Sequence, residues 1–99
     1  MYAVIFRARV GEQDAEYDEM AAKMRELAFE RYGCRDFIAV TEGDTEIAIS
    51  YWDDEDSIRR WKNDPEHSAG QQLGRDGWYA GYRVQVVEIR REYSFGDPA

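Results

Sequence analysis

The only histidine in the chain, His67, lies in the stretch W-K-N-D-P-E-H-S-A-G-Q-Q-L-G-R-D-G-W-Y, residues 61–79. Imidazole is the side chain best suited to take up and return a proton near pH 7. His67 is therefore the first candidate for a general base. Asp64 followed by Pro65 has the form of a helix N-cap and a first helical residue, which makes His67 the third residue of that helix. The positive end of the helix dipole disfavours imidazolium there, while Asp64 and Glu66 favour it, each by at most ~1 kcal/mol. That balance predicts a largely neutral ring. Gln71, Gly74 and Trp78 follow at i+4, i+7 and i+11 on the same face, with Gly70, Gly74, Gly77 and Gly81 beside them. Each glycine inside a helix costs roughly 1 kcal/mol relative to alanine. Three explanations compete: close approach to a sheet, room for a flat ligand, or turns beyond a helix that ends near Gly74. A face of His, Gln, Gly and Trp, in place of Leu, Ile or Met, reads as a partly polar cavity lining. The plainer reading of His67 is a hydrogen-bonded surface residue at a helix start. Trp61 and Trp78 read as core or cavity walls, and Tyr51, Tyr79 and Tyr82 offer hydroxyls to a ligand oxygen.

Composition excludes several other chemistries. One Cys, Cys34, and one His give no zinc spacing. The acidic run Asp53-Asp54-Glu55-Asp56 lacks the alternating ligands and central glycine of a calcium loop, and reads instead as a helix start. No metal is expected. A formal charge of −8 with no Lys/Arg cluster argues against nucleic acid and anionic membranes. No apolar run approaches the ~20 residues of a membrane span, and the first residues do not form a signal peptide. With a lone cysteine, a reducing cytoplasm is the expected location. No G-x-G-x-x-G or P-loop is present, so no nucleotide or flavin cofactor is expected.

The elements that must position these residues follow from periodicity. Tyr2 to Val10 alternates as a strand, with Tyr2, Val4, Phe6, Ala8 and Val10 on one face and Ala3, Ile5, Arg7 and Arg9 on the other. Asp14 caps a helix carrying Tyr17, Met20, Ala21, Met24, Leu27 and Ala28, with Gly33 as its stop. Cys34 to Glu42 and Glu46 to Trp52 form a hairpin across E-G-D-T. Short helices follow at 54–63 and from Asp64 onward, and the last strand runs from Arg83 to Tyr93. Its alternation breaks at Val86-Val87, where a bulge is expected. The order β-α-β-β-α-α-β defines an α+β, ferredoxin-like sandwich with a four-stranded antiparallel sheet. Residues 1–93 make one domain and 94–99 a fraying tail. The second sheet face, apolar yet carrying Arg7 and Arg9, calls for a second copy of the sheet and hence a homodimer.

The whole chain, in length and element order, resembles the antibiotic biosynthesis monooxygenase family of dimeric α/β barrels. The resemblance is carried by Y-W at 51–52, W-K-N-D-P-E-H at 61–67, V-Q-V-V-E-I in the last strand and G-R-D-G-W-Y-A-G-Y at 74–82. It implies cofactor-independent oxygenation of a small aromatic or polycyclic phenol by dioxygen. His67 would take the hydroxyl proton, and the carbanion would reduce dioxygen by one electron. The resulting peroxide would lose water to give a quinone. Gln71 or a tyrosine would steady the oxyanion, with Phe6, Tyr51, Trp61, Trp78 and Tyr82 as the aromatic walls. The haem-degrading branch of the superfamily is matched at Trp61 only, since Phe6 stands where its asparagine falls and Gln71 near its ligand histidine. A non-catalytic binding module, or an isomerase or decarboxylase using the same base, satisfies the same residues.

Overall fold

The structure is a computed structural model describing residues 1–98; Ala99, at the end of the expected tail, lies outside the described residues. The chain runs β1 (Tyr2–Val10), α1 (Ala15–Glu30), β2 (Asp36–Glu42), β3 (Thr45–Trp52), α2 (Glu55–Lys62), α3 (Pro65–Leu73), a π-helical turn (Gly74–Trp78) and β4 (Tyr79–Glu88). The strands form one antiparallel sheet in the order β2-β3-β1-β4. The three helix starts are capped by Asp14, Asp54 and Asp64, whose carboxylates accept the N–H of Tyr17, Ser57 and Glu66. The acidic run therefore starts a helix.

Strand parity decides which residues face the helices. In β1 and β3 these include Val4, Phe6, Glu46, Ala48, Ser50 and Trp52, because register pairs Val4 with Ser50 and Phe6 with Ala48. The core gathers Val4, Ala28, Cys34, Trp52, Ile58 and Trp61. Its two indoles each find a partner for their N–H: Trp52 Nε1 donates to Ser50 Oγ at 2.8 Å, and Trp61 Nε1 donates to the Met24 carbonyl at 3.1 Å. A buried indole without such a partner would lose the hydrogen bond it makes to water.

Three expectations are corrected. Strand β2 begins at Asp36, not Cys34, because the Cys34 N–H turns back to the Ala28 carbonyl at the end of α1. The last strand begins at Tyr79 and ends at Glu88, so Ile89 to Tyr93 lie beyond it. Its bulge is not at Val86-Val87, where pairing with β1 is regular. Val86 faces the helices and Val87 the bare side because both faces are apolar there. The irregularity lies at the other end: Arg9 opposes Gly81 and Val10 opposes Tyr79, leaving Ala80 as an extra residue. An extra residue inverts the alternation. Tyr79 and Tyr82, three apart, thereby reach the same Phe6 ring, at 5.2 and 5.5 Å.

The glycines have separate explanations. A Cβ on Gly70 would come within 1.8 Å of Met24 Cε, so α3 lies against α1 there and not against the sheet. α3 ends at Leu73, which leaves Gly77 in the π-helical turn and Gly81 in β4.

Candidate functional site

Between the sheet and the helices lies a cavity of about 440 Å³. Phe6, Trp61, His67, Gln71, Trp78 and Tyr82, six of the seven residues singled out from sequence, line it. Tyr51 does not. It follows Ser50 in β3 and so points to the opposite sheet face, beside Ala3.

His67 is held by its neighbours on α2. Its ring meets Trp61 edge-on at 4.4 Å between centroids and 74° between planes. Trp61 is itself wedged against Trp52 at 5.2 Å and Phe37 at 6.3 Å. Asp64 does not bond the imidazole, because it is occupied elsewhere: Tyr32 Oη donates to it at 2.6 Å and the Glu66 N–H at 2.9 Å. Those donors hold the Asp64 carboxyl below its ordinary range, the tyrosine contributing most. His67 Nδ1 is buried with no hydrogen-bond partner. Burial, followed by the nearby Lys62 ammonium, pulls the imidazole down to about 4, with Asp64 opposing. The ring is thus neutral at pH 7, with burial as the main cause.

The cavity has a second polar cluster that the sequence reading did not assemble. Glu46 on β3 is only 7% exposed. The Tyr17 hydroxyl donates to its Oε1, and the Tyr79 hydroxyl stands 2.9 Å from its Oε2. Burial, with the Glu46 hydrogen bond adding to it, lifts the Tyr17 hydroxyl to about 12. Burial and the Tyr17 contact lift Tyr79 well above the usual tyrosine range. Both hydroxyls keep their protons at neutral pH. Aromatic rings enclose the cluster, Trp78 lying 5.5 Å and Tyr79 5.9 Å from the Tyr17 ring, each edge-on. One sequence signal pointed here: Glu46 shares parity with Ala48, Ser50 and Trp52, which places a charge on the core side of a strand. Among the described residues no three His, Cys, Asp or Glu side chains converge as metal ligands would.

A ferredoxin-like domain with a half-open aromatic cavity between helices and sheet defines the class. The chain belongs to the antibiotic biosynthesis monooxygenase family, whose family model matches residues 1–73. It is 39% identical over 95 residues to the uncharacterized protein YqjZ of Bacillus subtilis, covering 95% of this chain and 83% of that one. It is 28% identical to the jasmonate monooxygenase ABM of Pyricularia oryzae, covering 90% of this chain but only 43% of that protein. The fold matches that of SnoaB, a cofactor-independent oxygenase from Streptomyces nogalater, with TM-score 0.76, 18% identity and coverage of 92% and 94% of the two chains. It matches Rv0793 from Mycobacterium tuberculosis with TM-score 0.75, 14% identity and coverage of 94% and 98%. At these identities the two structural likenesses are of fold. Trp78, Tyr79 and Tyr82 lie beyond the segment matched by the family model.

Proposed function

We propose that this protein is a cofactor-independent monooxygenase acting on a small multi-ring phenol or enol, with His67 as the base. The observation that carries this reading is a neutral, half-buried imidazole whose buried Nδ1 has no partner, in an aromatic cavity of about 440 Å³. His67 accepts the substrate's hydroxyl proton, leaving a carbanion conjugated with the ring oxygen. The carbanion gives one electron to dioxygen, and the radical pair joins through a new carbon–oxygen bond. The peroxide takes up a proton and loses water, converting a ring CH₂ and O₂ into C=O and H₂O. All the electrons come from the substrate. Trp61 and Trp78 wall the ligand, and Gln71, which lines the same cavity, donates to the developing oxyanion.

A base that titrates near 4 is weak for a phenol, whose proton it takes uphill. The phenolate formed beside it stabilises imidazolium and lessens that deficit. The same weakness favours a second reading, a binding module that holds an aromatic molecule without turning it over. Dioxygen uptake with a dihydroxyanthrone separates the two. His67→Ala is expected to lower the rate by about 10²- to 10⁴-fold if the imidazole is the base. Wild-type protein that binds the phenol but consumes no oxygen would leave the binding module.

The assembly belongs to the same reading. Ile5, Ile38, Val40, Ile47, Ile49 and Val87 share the sheet face that no helix covers. A second copy seated there in two-fold fashion, burying more than ~1,000 Å², would take that face out of water.

A further inference from the structure

The Tyr17–Glu46–Tyr79 cluster has no part in the steps above, yet its three side chains come from α1, β3 and β4 to line the same cavity. Counting protons defines what it offers. Each tyrosine has one hydroxyl proton and a carboxylate has none. The Tyr17 proton goes to Glu46 Oε1. The Tyr79 oxygen lies 2.9 Å from Glu46 Oε2 and 3.1 Å from the Tyr17 oxygen, so its proton also stays inside the cluster. Only lone pairs remain to face a ligand. Among the described residues no Lys, Arg or His nitrogen comes within 4.0 Å of the Glu46 carboxylate. A buried carboxylate with no cation is costly in an aromatic wall, and a further donor would lessen that cost.

Two rulers place this cluster relative to His67. Along α3, His67 and Gly74 are seven residues apart, about 10 Å. Gly74 adjoins the Tyr79 ring, since a Cβ there would stand 3.1 Å from Tyr79 Cδ2. Along β3, Glu46 and Ser50 are four residues apart, about 14 Å. Ser50 pairs with Phe37, whose ring meets the Trp61 that holds His67. The imidazole and the cluster thus stand at opposite ends of the cavity, on the order of 10 Å apart.

We propose that Tyr17, Glu46 and Tyr79 form an acceptor-only anchor that takes a hydrogen-bond-donating substituent, hydroxyl or amino, at the end of a fused-ring ligand remote from His67. This rests on the reading of the cavity as the seat of a small multi-ring aromatic. It specifies the ligand as one with donor groups at both ends of the ring plane, and it turns away ligands whose far end carries only acceptors.

Calorimetric titration with a naphthalene series tests the anchor without oxygen chemistry. Wild-type protein should bind 2,6-dihydroxynaphthalene at least about tenfold tighter than 2,6-dimethoxynaphthalene, because a methoxy group meets the acceptors with no proton to give. In Glu46→Gln, whose amide brings its own N–H donors, that preference should fall below about threefold and 6-hydroxy-2-naphthoate should gain affinity. Tyr79→Phe should keep part of the preference, since Glu46 remains an acceptor. 6-Amino-2-naphthol separates the donor sources: tighter binding than the diol assigns the anchor to an amine, weaker binding to a hydroxyl. Equal binding of the diol and its dimethyl ether to wild-type protein, which needs no variant to fold, would overturn the anchor. So would a preference unchanged in Glu46→Gln. If no naphthalene binds, the anchor falls together with the cavity reading. A donor preference that persists without oxygen uptake removes the oxygenase reading and leaves the anchor standing.

Discussion

The two faces of the sheet are both apolar, but among the described residues helices cover only one. On the helix side Trp52 is fully buried and Val4 nearly so, beneath a layer supplied by α1, α2 and Trp61. On the other side Ile38 and Val40 are 52% and 58% exposed, in register with Ile49 and Ile47. The covered face is not uniform either. It is filled at Trp52 and hollow from the Trp61–His67 pair to where Glu46, Tyr17 and Tyr79 meet. Alternation reports which side a residue faces, while what fills that side depends on the elements laid across it.

The covered face depends most heavily on Trp52. Replacing it by alanine removes the largest fully buried side chain and the donor to Ser50. Trp52→Ala is expected to cost about 3–5 kcal/mol in equilibrium denaturation. A cost under about 1 kcal/mol would mean that the helix layer does not close over the sheet as described.

The next effect is a pH dependence on the same face. His67 is about 4 in the folded chain against 6.5 when exposed, so below 6.5 the unfolded chain takes up the proton first. Its neutral burial stabilises the fold fully above pH 6.5, and that contribution is lost as pH falls toward 4. The loss is of the order of 3 kcal/mol. Asp54 and Asp64, held below the ordinary 3.8, release their contributions only at lower pH. The window between 6.5 and 4 therefore belongs to His67. Denaturation midpoints followed across it should fall for the wild type and stay nearly level for His67→Gln. Parallel curves would place the imidazole in water.

The fold was legible because its signals are local. Asp14, Asp54 and Asp64-Pro65 announce three helix starts, and Tyr2 to Val10 announces a strand by alternation alone. His67, Trp61 and Gln71 could be placed on one cavity wall because they are neighbours along α2 and α3. The acceptor cluster could not be assembled in the same way. Tyr17, Glu46 and Tyr79 are 29 and 33 residues apart, and their meeting depends on a bulge whose position the sequence did not disclose. The run V-Q-V-V displays apolar residues on both faces, and that pattern drew the expected bulge to Val86-Val87. The irregularity sits instead at Ala80, whose small side chain gives no such signal. Tyr51 was singled out for its hydroxyl, but adjacent strand residues face opposite ways, and Trp52 takes the helix side.

The smallest effect on the single chain is expected on the bare face. Val40 lies on the bare face, paired with Ile47 on edge strand β2, and is the more exposed of its two aliphatic residues on that side. In a separated chain, Val40→Lys places an ammonium where water already reaches, and stability should change by no more than about 0.5 kcal/mol. In a two-fold assembly the same substitution buries two unpaired ammonium groups, one from each copy, against the other's isoleucines. The dissociation constant should then rise by about 10²-fold or more, a loss of about 3 kcal/mol or more in association. Sedimentation across a concentration series reads the assembly, and denaturation of the dissociated chain reads the fold. Val84→Lys is the matched control: Val84 is 39% exposed, but its register with Phe6 puts it on the helix side. That substitution should disturb the cavity and leave association unchanged. If Val40→Lys leaves association unchanged, or the wild type sediments as a monomer at micromolar concentration, the bare face is not joined to a second copy.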